Sequence, residues 1–554
     1  MSAEREDKAM KRIFINANGY SMDKDNSRFQ AVVTENGLIR YVGENSGALA
    51  EKEEGDEVID LSGKMMLPGF NDSHLHLLSY GYSLEVVDLN DCRSLEELKE
   101  RLRTYIRENH IEKGQWVEGR GWDQNQFDTG KMPTRFDLDE EFGDYYVVLT
   151  RTCAQISVVT TNVLELAGIL NHPKQIEGGM ILTDENDIAT GLLTGLATEI
   201  VYRIIPKLGV ERIKKCILAA CNQYITSGMT STQTDDFELL RAGNFKEILQ
   251  AYEELDRDGL LPMRVNLMLH LATVEELKEF IALGYKTGDG SPFFRIGPFK
   301  TITDGSLGGR TAALREPYSD NPSEQKDNCG EMYISKEELE TLTQMAYDNG
   351  LQLVSDGIGD RAMRTVLDAF IKIIEKNPEK DLRFGIDHCQ ITTEGIIEDF
   401  AKYKIVGGLE LVFLASDIAI AGDRVGEHRA SMSYNWKQFS DSGVVIAAGS
   451  DSPVEEFSPL DGIYAAVTCC TYDKESEGGY YPQQKLSMEE ALHAFTTGPA
   501  YATFEEDKKG SIETGKYADF VVLEKDLYET DPLDIMDVSV EMTVVNGEIV
   551  YTRG

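Results

Sequence analysis

Met65-Met66-Leu67-Pro68-Gly69-Phe70-Asn71-Asp72-Ser73-His74-Leu75-His76 runs from an apolar segment through Pro-Gly into Asp-x-His-x-His. A strand sends alternate side chains to one face, so residues i and i+2 at its end can hold one metal ion together. An apolar run that ends in such a pair reads as a buried strand whose C-terminus enters a polar site, the place where parallel barrels put their chemistry. The stretch predicts an α/β fold whose first barrel strand is metal-capable.

The chain has 554 residues and is 41% hydrophobic, enough for a large barrel with smaller additions and too much for one ordinary core. Its 55 Lys+Arg against 96 Asp+Glu leave a formal charge of -41, which opposes binding to phosphate backbones and anionic membranes. Nucleic acid and membrane are therefore not expected as partners, and the excess acid reads as a solvated surface. Residues 1–8 are charged and carry no apolar signal core, and no later run has the length of a membrane span, so a cytoplasmic location is expected. Eight Cys, with Cys469 and Cys470 adjacent, match neither a disulfide framework nor a CxxC zinc pattern, and are expected as reduced core thiols.

Both ends read as β-rich. Arg12 to Ala17 and Gln30 to Thr34 are strand-like, and Glu35-Asn36-Gly37 turns tightly into Leu38 to Gly43. At the other end Ala518 to Leu523 and Met542 to Val545 lead through Asn546-Gly547 into Glu548 to Tyr551. Between them short apolar strands alternate with helical stretches at Ser94 to Arg107, Glu211 to Thr226, Lys336 to Asn349 and Asp360 to Lys376. The fold expected is a TIM-like (β/α)8 barrel over 67–505 with a composite β-sandwich from 1–66 and 506–554. A Gly-rich, aromatic stretch at 115–208 shows little clean alternation and reads as an insertion on the barrel.

Several strands downstream of His76 end in charged or metal-capable residues. Arg295 to Lys300 precedes Thr301-Ile302-Thr303-Asp304-Gly305-Ser306; Leu351 to Asp356 leads into Gly357-Ile358-Gly359-Asp360; then come Arg383 to His388 and Val444 to Asp451. Singly, Lys300 reads as well as a surface cation, His388 as a hydrogen-bonded core histidine, and Asp451 as a helix N-cap before Pro453. Together they fall at strand C-termini, the catalytic face of a barrel. Imidazoles bind a borderline metal such as zinc without neutralising it, while a carboxylate can both ligate and take a proton from water. Asp451 is the natural general base, able to pass its proton on to a departing nitrogen.

These residues lie within a longer set of motifs: Leu67 to His76, Gly119-Arg120-Gly121-Trp122-Asp123-Gln124-Asn125, Asp304-Gly305-Ser306-Leu307, Ile358-Gly359-Asp360-Arg361-Ala362, Gly449-Ser450-Asp451-Ser452-Pro453-Val454-Glu455, and Gly510 to Phe520. In them the chain resembles the amidohydrolase superfamily, and specifically its family-3 amidohydrolases, from about Arg12 to Tyr551. The resemblance implies a metal-assisted hydrolase of carbon–nitrogen bonds other than peptide bonds, acting on a small amide-type molecule, with a homodimer as a common assembly. It also implies that His74 and His76 are first-strand ligands, His388 the sixth-strand ligand, and Asp451 the eighth-strand ligand and base. Lys300 matches a lysine that bridges two metals when carboxylated; as an ammonium it would repel cations, so it is a ligand only in the carboxylated form. One divalent metal, zinc by preference, is expected, and two with carboxylated Lys300. Trp122, Asp123, Asp304 and Arg310 are candidates to line the substrate pocket.

The chain departs from the family pattern at its second metal. Asp356 stands where a fifth-strand His is usual, which changes the charge and metal preference of that position. Gln233 and Gln155 occupy positions that are often His, and Glu410 and Phe413 stand where Gln and His are common. His110, His172, His270, His428 and His493 lie outside the matched positions and offer no substitute. Beside the amidohydrolase, two readings stay open: a mononuclear deaminase or lyase of the superfamily, and a catalytically silent binding or regulatory member.

Overall fold

The computed structural model describes residues 11–152, 155–176, 178–237, 244–474 and 478–554. The charged segment 1–8 lies outside them. The described residues form two compact units. One runs to Leu78, resumes at Ile217 and holds the barrel and the sandwich; the other lies within Ser79–Cys216.

The barrel strands are β1 (Phe70–Leu75), β2 (Met229–Thr234), β3 (Arg264–His270), β4 (Phe294–Thr301), β5 (Leu353–Gly357), β6 (Gly385–His388), β7 (Val406–Leu409) and β8 (Ile446–Ala448). They form one sheet in chain order, and every neighbouring pair is parallel. Just beyond β8 the ring is joined to β1 by main-chain hydrogen bonds, from Asp451 N–H to the His74 carbonyl (2.7 Å) and from His76 N–H to the Ser452 carbonyl (2.8 Å). The helices that return the chain are cut by local chemistry. Thr273 and Glu276 cap Val274–Leu283 reciprocally and Gly284 ends it in the left-handed region. Asp360–Lys376 buries Ala362, Met363, Val366, Leu367, Phe370 and Ile373 at helical spacing.

Strand β2 is polar in sequence, Met-Thr-Ser-Thr-Gln-Thr, yet every residue of it is buried. Its polar groups find partners inside: the Thr234 hydroxyl donates to Asp236 (2.9 Å) and accepts from Leu77 N–H (2.9 Å).

The sandwich is composite, as the two β-rich ends lead one to expect. A six-stranded sheet joins Glu548–Thr552, Val540–Val545, Phe520–Leu523, Met65–Pro68, Asn18–Tyr20 and Arg28–Phe29, and a four-stranded sheet joins Leu38–Gly43, Ala31–Glu35, Arg12–Ile15 and Glu57–Asp60. Phe14, Val32, Ile39, Met66, Phe520, Val522 and Val544 share a core, with the Phe14 and Phe520 rings edge to face at 5.0 Å. Asn36-Gly37 and Asn546-Gly547 hold positive φ at both central turn residues, which a two-residue hairpin of this twist requires.

Two expected boundaries move. The apolar run before the histidines is not one strand with them. Met65–Pro68 pairs antiparallel with Phe520–Leu523 in the sandwich, and the barrel begins afresh at Phe70 after Gly69, so a boundary at 66/67 falls within a sandwich strand. The inserted unit starts at Ser79 rather than 115, and it has β/α alternation of its own. Val87–Asp88, Trp116–Trp122 and Tyr146–Arg151 are parallel neighbours with Leu95–Glu108 and Arg135–Phe142 as the crossings. The amphipathic pattern at Ser94 to Arg107 identified a helix correctly and could not say which sheet it would cover.

Among the described residues, Cys92, Cys216, Cys221, Cys389, Cys469 and Cys470 are buried and Cys329 is partly exposed.

Candidate metal centre

The carboxyl ends of β1, β4, β5, β6 and the turn after β8 bring His74, His76, Lys300, Asp356, His388 and Asp451 together. Two groups of ligand atoms lie within 4.8 Å of one another: His74, His76 and Asp451, and His74, Asp356 and His388. His74 Nε2 stands 3.3 Å and His76 Nε2 2.9 Å from Asp451 Oδ1. His76 Nδ1 lies 2.7 Å from the Asp235 carbonyl, which can only accept, so Nδ1 carries the proton and Nε2 turns its lone pair toward Asp451. Facing lone pairs of this kind are satisfied by a cation between them.

Behind this group Asp72 braces both strands. Its Oδ1 accepts from His74 N–H (3.0 Å) and Ser450 N–H (3.2 Å), and burial pushes its pKa up to about 7. Burial works to raise Asp451, but when His74 and His76 are protonated their hydrogen bonds and charges outweigh it and hold that carboxyl well below the usual range.

Lys300 is fully buried. Its Nζ lies 3.0 Å from Asp356 Oδ1, 3.2 Å from Asp387 Oδ2, 3.9 Å from Asp235 Oδ2 and 3.0 Å from His74 Nδ1. Burial works against ionised Asp356, yet Lys300 and His388 bring its pKa down. His388 is set between two carboxylates: Nε2 is 3.6 Å from Asp356 Oδ1, and Nδ1 is 2.9 Å from Glu410 Oε2, an ion-pair approach without hydrogen-bond alignment. Burial disfavours the imidazolium, and Glu410 and Asp356 together push its pKa well up.

The donor set fits divalent metal. Asp356 Oδ1, Asp387 Oδ2, both oxygens of Asp235 and both of Glu410 are buried without a hydrogen bond, a costly arrangement unless cations compensate it. Asp235 and Asp387 were missed by sequence reasoning. Asp387 adjoins His388 on a strand already singled out, a usable signal; Asp235 follows the polar β2, which hides the strand that carries it.

The four residues expected to line a pocket are engaged elsewhere. Trp122 is a core residue of the inserted unit, fully buried, with its indole N–H donating to the Leu149 carbonyl at 2.9 Å. In the same unit Asp123 pairs with Arg151 at 2.6 Å. Asp304 accepts main-chain N–H groups of Ala313, Ile358 and Gly359 at 2.7, 3.1 and 2.9 Å and ties the segments after β4 and β5, so it is a loop anchor. Arg310 is held by Asp320 in a two-point pair of 2.9 and 2.7 Å. The short motifs marked these residues correctly as special, but not whether protein or substrate uses them. Gln233 is buried, and Gln155 is exposed in the inserted unit.

A family model described as "Amidohydrolase family" matches residues 57–551. The chain belongs to the amidohydrolase family. It is 33% identical over 547 residues to the Bacillus subtilis protein named "Putative amidohydrolase YtcJ", covering 98% of this chain and all of that one. Another relative, the N-substituted formamide deformylase of Arthrobacter pascens, is 26% identical over 98% of both chains. Among solved structures, a metal-dependent hydrolase from Pyrococcus furiosus is similar with a TM-score of 0.77 and 32% identity, over 94% of this chain and all of the other. The chain is a hydrolase of carbon–nitrogen bonds. Among the described residues no helix is long and apolar enough to cross a membrane.

Proposed function

We propose that this protein is a metal-dependent amidohydrolase that cleaves a non-peptide carbon–nitrogen bond in a small amide-type substrate, with zinc as its ion and Asp451 as the proton carrier. The observation that carries the reading is the convergence of His74, His76 and Asp451 at the carboxyl face of the barrel. A divalent ion there supplies Lewis acidity, polarising a carbonyl and acidifying water.

The residues do the rest. His74 and His76 are neutral ligands, and the Asp235 carbonyl fixes the tautomer of His76. Asp451 would accept a proton from the attacking water and return it to the leaving nitrogen. Carboxylation of Lys300 would replace a cation among Asp356, Asp387 and His74 with an anionic ligand, making room for a second ion. A formamide or other N-acyl amine is the first substrate class to try, because the relative from Arthrobacter pascens carries the name N-substituted formamide deformylase.

The test is a panel of N-acyl, formamide and cyclic amide substrates with zinc-, manganese- and iron-loaded protein. Turnover of at least one that vanishes in Asp451→Asn is the expected result. Metal-replete protein inert to the whole panel, or turnover surviving in Asp451→Asn, overturns the reading.

A further inference from the structure

Glu410 follows β7, and its side chain is 1% exposed. A carboxylate buried this deeply is costly without a cation or donor. What faces it is His388 Nδ1, at 2.9 Å. The other nitrogen of the same ring, Nε2, faces Asp356 at 3.6 Å and belongs to the second group of ligand atoms with His74. With the ring neutral, a proton on the nitrogen that faces the carboxylate leaves Nε2 its lone pair, on the side of Asp356. The Phe413 ring, 6.1 Å from that of His388 and tilted by 28°, gives the imidazole an apolar neighbour.

We infer that Glu410 is a positioning residue that fixes the tautomer and orientation of His388, so that His388 and Asp356 together hold the second ion of the centre. The inference rests on the proposed function and concerns its second cation only. Carboxylate–histidine–metal arrangements of this kind act through the ligand, and loss of the outer partner typically costs about 10–100-fold in metal affinity. In the first group the tautomer of His76 is set by a different acceptor, the Asp235 carbonyl.

The test uses the full chain, stripped of metal and titrated with zinc against a competing chelator, in wild type, Glu410→Leu and Glu410→Gln. Wild type is expected to take two equivalents. Glu410→Leu should bind the first with unchanged affinity and the second about 10–100-fold more weakly. Glu410→Gln, whose amide oxygen can face Nδ1 as the carboxylate does, should recover much of the second. Circular dichroism and the melting temperature of the metal-free variants identify a folding failure, in which case Glu410→Gln alone decides, by binding the second equivalent more weakly than wild type or equally. Equal second-equivalent affinity in all three, parallel weakening of both equivalents, or a wild type that takes one equivalent overturns the inference and leaves the proposed hydrolase standing. A wild type that takes none removes the proposed function itself.

Discussion

The main-chain N–H of Asp451 donates to the carbonyl of His74 at 2.7 Å, so the proposed base and the proposed ligand it faces are joined through the backbone where the barrel ring closes. Their side-chain separation of 3.3 Å is thereby held by covalent geometry on both sides and by Asp72 behind, and not by side-chain packing alone.

Replacing Asp451 by Asn keeps the volume and removes the proton acceptor. Turnover is expected to fall by about 10²–10⁴-fold, the usual worth of a general acid–base group. Steady-state kinetics on the best panel substrate, beside unchanged far-ultraviolet circular dichroism, check it.

Asp72→Ala strips two buried N–H groups of their acceptor while touching no substrate. Each unsatisfied donor costs about 1–3 kcal/mol. The expected result is a lowered melting temperature together with weaker binding of the first metal equivalent, read by chelator competition.

Arg264 and Asp519 form a buried two-point pair of 2.6 and 2.9 Å that ties the start of β3 to the strand after Tyr517, with the Tyr517 ring 3.8 Å from the guanidinium. Arg264→Met leaves the buried Asp519 carboxylate without its cation, with the Asn546 N–H as a remaining donor at 2.8 Å, and should cost about 3–5 kcal/mol, whereas Arg264→Met with Asp519→Leu should recover part of it. Urea denaturation of the single and double variants separates the two.

Glu490 accepts from Ser440, Ser487 and Lys437. Burial acts against its ionised form, and these hydrogen bonds outweigh it and bring its pKa to about 2 from an ordinary 4.5. A carboxyl depressed on folding stabilises fully above the unfolded value and loses that contribution as pH falls from about 4.5 to about 2. In Glu490→Gln the acid-side decline of the melting temperature across that window should be shallower than in wild type.

Trp122→Phe removes the indole donor to Leu149 within the inserted unit's core. Stability should drop, and KM for the panel substrate should stay unchanged, since a fully buried ring has no surface to offer a ligand. A raised KM at unaltered stability would return Trp122 to the substrate pocket.

Much of the candidate ligand set was legible because each member ends a strand whose pattern is visible: His74 and His76 after an apolar run, Lys300 after Arg295-Ile-Gly-Pro-Phe, His388 after Arg383-Phe-Gly-Ile-Asp. Strand β2 was obscured by its Thr, Ser and Gln, whose burial depends on partners from elsewhere in the chain, and with it went Asp235. Trp122 and Asp304 show the complementary failure. A motif fixes that a residue is needed, but an indole N–H or a carboxylate serves a main-chain partner as readily as a ligand, and only the fold decides. The helix at Leu95–Glu108 was read rightly as a helix and assigned to the wrong sheet, since an amphipathic stripe specifies a face and not the surface it meets.

The pairing of Met65–Pro68 with Phe520–Leu523 has a consequence for biosynthesis. The strand just before the one that carries His74 is anchored by residues synthesised after all eight barrel strands. A nascent chain therefore brings the proposed ligands together before that anchor exists, and deletion of Phe520–Leu523 would remove the pairing that precedes β1 while leaving every one of those ligands in the chain.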